Sequence, residues 1–325
     1  MACVMRTMQS MALIGVAALF ATGTTAQIYP VKPVRVVVGS PPGGIDAYIR
    51  LIGPRVGEAI GQPVVIENRG GANGAIGAEH VARSAPDGYT LLFATAGALV
   101  HAMVLNKNLP FNTLRDFTPV ANLFETLKIM TVHASLPFQS VAEVIEHARR
   151  NPGKLTYASA GNMTIMHING EFFKAAAKVD ILHIPYKGTA AMATDLMAGR
   201  ADVGFPALNN VKAYLASGKL RLLAIAENQR YAGFPNAPAI AEIVPGYSAP
   251  PSWNGIAGPA NLPRPIVERL NAAFVKALDA PEVRKFLDDN GAVPRAGAPE
   301  ELAATIRKDL EIAVQMIKAA GIQAE

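Results

Sequence analysis

The chain contains almost no cysteine: one residue in 325, Cys3, at its very start. That excludes a disulfide framework, a thiolate metal centre and a cysteine nucleophile from the folded part. Charge is equally sparse, at 17% of residues, and no basic run is longer than the pair Arg149-Arg150. A net charge of +5 spread this thinly does not make a phosphate-tracking surface, so nucleic acid is not expected as a partner. It still permits an acidic small ligand, whose local concentration a mildly positive surface raises. The six histidines include no His-x-x-x-His pair, which argues against a zinc enzyme, and no metal ligand set is assigned. Neither G-x-G-x-x-G nor a G-K-[S/T] phosphate loop is present, and no cofactor is expected.

What the chain does have is apolar material, 50% of its residues. That is too much for disorder, and the length suffices for two domains. Arg6 is the only charge before Lys32, and it precedes the apolar stretch Met11 to Phe20 and the small residues 21–26. This order of charge, apolar core and small residues predicts a signal peptide over 1–26, cut near Ala26-Gln27. The apolar core falls short of the roughly 20 residues a membrane span needs, and no later stretch reaches that length. Export without disulfides predicts a periplasmic location.

The mature sequence reads as two halves of one architecture. Val34 to Val38 is a short β-branched run that enters Gly39-Ser-Pro-Pro-Gly-Gly44, followed by a helix over 46–60. A strand over 62–67, a Gly-rich turn, a helix over 75–84 and a strand over 89–94 complete a βαβαβ order, which demands parallel pairing with crossover helices. A second set follows: a helix over 141–150, a strand over 155–158, a loop over 159–164 and a helix over 165–177. Strands over 181–184, 202–205 and 220–226 alternate with further helices. Proline-rich residues 234–251 and the sole tryptophan, Trp253, read as a segment crossing between the halves, as does 121–132. Helices with Pro in or near the first turn are expected over 265–278, 281–290 and 299–320. With no strand of their own, they must pack back on an existing half.

Each half thus opens with a strand, a glycine-containing loop and a helix. In open α/β sheets ligands bind at that carboxyl end, where unpaired N–H groups and the positive helix dipole favour anions. Gly43 and Gly44 allow backbone to approach a ligand closely, while Ser159, Asn162 and Thr164 add hydroxyl and amide groups around Gly161.

Six segments carry a family resemblance. Ser40-Pro-Pro-Gly-Gly-Ile-Asp46, Gly70-Gly-Ala-Asn-Gly-Ala-Ile-Gly77, Ala85-Pro-Asp-Gly-Tyr-Thr-Leu-Leu92, Asn151-Pro-Gly-Lys-Leu-Thr-Tyr-Ala-Ser159, His183-Ile-Pro-Tyr-Lys-Gly188 and Ala216-Ser-Gly-Lys-Leu-Arg221 occur in order along the mature chain. Together they resemble the substrate-binding receptors of tripartite tricarboxylate transporters, the Bug family. The resemblance implies a two-lobed α/β periplasmic binding protein, a Venus flytrap with a mostly parallel, helix-flanked sheet in each lobe. The expected lobes are 27–125 with 250–325, and 126–249. It implies a monomeric receptor that closes on a small organic acid and passes it to membrane subunits of the transporter. Carried onto this chain, the ligand positions are Ser40, Pro42, Gly43, Gly44, Ile45 and Thr95 in one lobe, and Ser159, Gly161, Asn162 and Thr164 in the other. The chain departs from the family pattern in three places. One residue rather than two separates the Gly pair from Asp46, Pro206 stands where an acid is frequent, and Met163 stands where Gly is frequent. An acid at 206 could hold a ligand amine, so its absence favours a ligand without one.

Plainer readings stand beside these. Asp46 reads as a helix-start residue favoured by the dipole, His167 as a packed helix residue, Lys187 as a solvated turn residue and Trp253 as packing. One rival is an exported serine hydrolase built on Ser159, with His167 or His183 and Asp195 or Asp202. Against it, a nucleophile elbow needs glycine where Tyr157 stands. A receptor that signals to a sensor kinase would use the same site.

Overall fold

The computed structural model describes residues 29–162 and 164–319. The expected signal peptide and Met163 lie outside the described residues. Two mixed sheets, each flanked by helices, form two lobes. The first stretch of chain builds β1 (Val34–Val38), α1 (Asp46–Ile60), β2 (Val64–Asn68), α2 (Ala75–Ala82) and β3 (Thr90–Thr95). A π-helical turn (Gly97–His101) and the short helices α3 (Ala102–Leu105) and α4 (Thr113–Asp116) lead to β4 (Phe117–Thr126). The second lobe contains β5 (Ile129–His133), α5 (Val141–Arg150), β6 (Thr156–Ser159), α6 (Ile165–Ala177), β7 (Leu182–Pro185), α7 (Thr189–Met197), β8 (Val203–Gly204), α8 (Leu208–Ala216) and β9 (Leu220–Ile225). After α9 (Ile240–Ile243) the chain returns through β10 (Trp253–Pro259), α10 (Arg264–Leu278), α11 (Pro281–Asp289), β11 (Ala292–Pro294) and α12 (Pro299–Ala319).

The strand orders are β11-β4-β10-β3-β1-β2 and β7-β6-β8-β5-β9. β1 pairs in parallel with β2 and β3, and β6 in parallel with β7 and β8, as crossover helices require. The remaining pairs are antiparallel, so each sheet is mixed rather than mostly parallel. The reason is the crossings. In each sheet the antiparallel insert is the strand that has just arrived from the other lobe, β5 in one and β10 in the other. Residues 121–132 are therefore mostly strand, not bare connection, and Trp253 opens a fully buried central strand.

The core follows from alternation along the strands. Val34, Val36 and Val38 face α1 and α10, where Ile49, Ile52, Val56, Leu270 and Phe274 are buried. Val37, Leu92 and Ala94 face α2, in a cluster that continues through Leu302, Ile306 and Leu310 of α12 to Met130, Val132 and Phe173 of the second lobe. One apolar cluster thus runs from the first lobe into the second.

Candidate functional site

At the carboxyl end of β1 the loop 39–45 turns into α1. Gly43 and Gly44 have φ of +98° and +57°, a left-handed region that side chains resist. The ends of the loop are fastened by Asp46 and Asn68. Asn68 Nδ2 donates to Ser40 O at 2.9 Å and to Asp46 Oδ1 at 2.8 Å, while Arg50 Nε donates to Asp46 Oδ2 at 2.6 Å. Burial alone would raise the Asp46 carboxyl, but the bonds from Arg50, Asn68 and the Gly43 N–H hold it below its ordinary value. Asp46 is buried and points into this fastening, so it shapes the loop. Pro42, Gly43 and Gly44 stay exposed. Thr95, at the end of β3, accepts the Ala98 N–H at 3.1 Å and caps the π-helical turn.

The second loop, 159–164, links β6 to α6. Thr164 is the helix cap: its hydroxyl accepts the His167 N–H at 3.4 Å and donates to Gly161 O at 2.7 Å. Ser159 is fully buried, with Oγ 3.0 Å from Gly161 O and 2.6 Å from His183 Nε2. Both hydroxyls are spent inside the loop, leaving backbone and the exposed Asn162 to face outward. The serine–histidine contact lacks the rest of a hydrolase. Asp202 accepts from Thr156 N and Oγ1 at 2.9 and 2.8 Å, and Asp195 is paired with Arg200, so neither candidate acid serves the imidazole. A buried hydroxyl is also not presented to an ester.

Between the lobes lies a cavity of about 420 Å³. Gly44 and Asn290 line it from the first lobe, and Thr189, Asn209, Asn210 and Tyr214 from the second. No charged side chain is among the residues lining it. Thr189 opens α7, while Asn209 and Asn210 sit in the first turn of α8, where the Leu208 and Asn210 N–H groups are bonded to Leu127 O and Ala207 O; the second lobe thus offers this space two positive helix ends and two asparagine side chains. Across the gap Asn210 Oδ1 is 4.0 Å from where a Cβ on Gly44 would stand, and Lys212 Nζ donates to the Asp289 carbonyl. Of the ten expected ligand positions only Gly44 lines this cavity. Sequence reasoning missed Thr189, Asn209 and Asn210. The rule that places ligands after parallel strands applies equally to the turns after β7 and β8, and was the available signal.

The family model described as tripartite tricarboxylate transporter family receptor matches residues 49–322. The chain belongs to this receptor family. Among its relatives, a UPF0065 protein from the tcbD-tcbE intergenic region of Pseudomonas sp. strain P51 is 35% identical over 92% of this chain and 90% of its own. Protein BugT of Bordetella pertussis is 30% identical over 93% of both chains. Solved structures agree: an R. palustris protein solved with adipate superposes with a TM-score of 0.85 at 33% identity, covering 91% of this chain and 99% of that one. MatC from Rhodopseudomonas palustris, solved with bound malate, gives 0.81 at 32% identity, over 89% and 100%. The fold is thus shared with these solved relatives.

Proposed function

We propose that this receptor is a periplasmic solute-binding protein that captures a small carboxylate between its lobes and delivers it to the membrane subunits of a tripartite transporter, turning nothing over. The observation that carries the reading is the inter-lobe cavity, where first turns of α7 and α8 face Gly44 on the opposite loop. The helix dipoles of these starts and the side-chain amides of Asn209 and Asn210 stabilise an anion without a cationic side chain. Relatives solved with adipate and malate support the ligand class. In this reading residues 1–26 are the export signal, and the lobes are 27–125 with 250–325 and 126–249. The chain works as a monomer. Ser40, Pro42, Gly43, Gly44, Ile45 and Thr95 form one wall of the site; Gly161 and Asn162 face them, on a loop shaped by Ser159 and Thr164. Pro206, buried beside β8, offers no carboxylate to a ligand amine, so organic acids are favoured over amino acids.

A thermal-shift screen of di- and tricarboxylates, aromatic acids and amino acids tests this. A ligand at 100 times its Kd stabilises the protein by about 2.7 kcal/mol. At least one amine-free acid should do so. Sustained hydrolysis of a simple ester, abolished by Ser159→Ala, would replace this reading with the enzymatic one.

A further inference from the structure

The loop between β6 and α6 is held from below by a closed circuit of side chains. Ser159 Oγ contacts Gly161 O at 3.0 Å, Gly161 N at 3.2 Å and His183 Nε2 at 2.6 Å. A hydroxyl has one proton, and the Gly161 carbonyl, which has none to give, takes it. The other two contacts must then come from donors, the Gly161 N–H and an Nε2–H on His183. In this arrangement we assign His183 as a neutral imidazole with its proton on Nε2. Burial, with His167 and Lys174 beside it, outweighs the opposing Glu171 carboxylate and pulls its pKa down to about 4, so it stays neutral in ordinary buffers.

The ring is clamped on both faces. Tyr157, its register partner on β6, stacks at 4.7 Å and 21°, and His167 of α6 at 4.3 Å and 19°. Tyr157 is itself fixed by donating to Glu171 Oε1 at 2.5 Å. On the far side of the loop, Thr164 joins Gly161 O to the His167 N–H. The circuit runs from His183 through Ser159, Gly161, Thr164 and His167 back to His183, and encloses the base of the loop.

We propose that His183 is a positioning residue: it touches no ligand, but through Ser159 it fixes the backbone at Gly161 and Thr164 in the arrangement that a carboxylate needs. The last clause rests on the function proposed above; the fixing of the loop does not.

Hydrogen exchange on the ligand-free protein reads the fixing directly. In His183→Leu the amides of Gly161 and Thr164 should exchange at least tenfold faster, and His183→Gln, which keeps a donor in place of Nε2–H, should restore exchange to within threefold of the parent. Parent-like exchange in His183→Leu overturns the proposal. If that variant does not fold, Ser159→Ala removes the same anchor from the other side, and parent-like exchange there overturns it equally. Calorimetry with adipate as probe gives the functional arm. Ser159→Ala and His183→Leu should each weaken binding about tenfold, and the double variant no more than either alone, because both act through one contact. Losses that multiply to about a hundredfold refute the route through Ser159. A parent that binds no acid at all removes the proposed function, and the exchange result then decides the role of His183 by itself.

Discussion

Changing Glu227 to Gln strands a buried ammonium. Lys128 occupies the step between β4 and β5, where the chain first crosses between lobes, and Glu227 begins the return crossing after β9. Their side chains meet at 2.6 Å, with Lys128 2% and Glu227 25% exposed. The same carboxylate oxygen accepts the Lys128 N–H at 3.1 Å, and Ala226 N donates to Lys128 O at 2.9 Å, so the pair ties the two crossings together. Removing one partner from a buried ion pair costs about 3–5 kcal/mol because the other charge is left uncompensated. The exposures make that cost unequal. Lys128 cannot reach water, so Glu227→Gln should lose about 3 kcal/mol. Glu227 can, and burial already raises its pKa, so in Lys128→Met it takes up water or a proton and the loss should be about 1–2 kcal/mol. The double variant leaves neither charge, and should cost less than Glu227→Gln alone. Urea unfolding followed by fluorescence of Trp253, the sole tryptophan, measures all three. A Lys128→Met protein less stable than Glu227→Gln, or a double variant as unstable as the worse single one, would refute the reasoning.

Asp309 accepts from Trp253 Nε1 at 2.9 Å, and burial pushes its pKa up to about 6. A raised carboxyl favours folding below its unfolded value near 3.8 and loses that contribution as pH rises to 6, so the parent should lose up to about 3 kcal/mol across that window and Asp309→Asn should not; equal pH profiles by urea unfolding contradict this. Gly44→Val forces a β-branched residue to φ +57°, at a cost of about 1–2 kcal/mol, and puts bulk at the cavity wall. It should weaken acid binding at least tenfold in calorimetry while the protein stays folded by circular dichroism. Thr164→Val deletes the α6 cap and should lower stability by about 0.5–2 kcal/mol in urea. The exposed Lys187→Ala, as contrast, should shift binding and stability by less than about 0.5 kcal/mol.

The parts of the fold legible in the sequence are those with a local signal. Val34 to Val38 is β-branched, its loop is marked by Pro and Gly, and α1 follows at once. β10 carried the opposite signal. Its glycines and closing proline disfavour a strand, yet it lies between β3 and β4 and is buried throughout. A Cβ on Gly255 would come within 2.6 Å of the Ala121 carbonyl, so close pairing selects the residue that local propensity disfavours. β11, of three residues, is made by tertiary pairing with β4 and has no pattern to read. The site divides in the same way. Both glycine loops were visible as strand-to-helix turns. The strand over 202–205 is legible as well, but the turn that leaves β8, Phe205-Pro206-Ala207, carries no glycine to mark it, so Asn209 and Asn210 do not stand out. The contact of Ser159 with His183 depends on the register of β6 against β7, which no spacing within either segment encodes.

Recognition of an anion by backbone between two lobes is the central claim, and titration calorimetry of one acid against its own methyl ester tests it most directly. For the tightest acid in the screen, the free carboxylate should bind in the micromolar range, about −8 kcal/mol, and the fully methylated ester, slightly larger and without charge, at least a hundredfold more weakly. Equal affinity for acid and ester would contradict the claim.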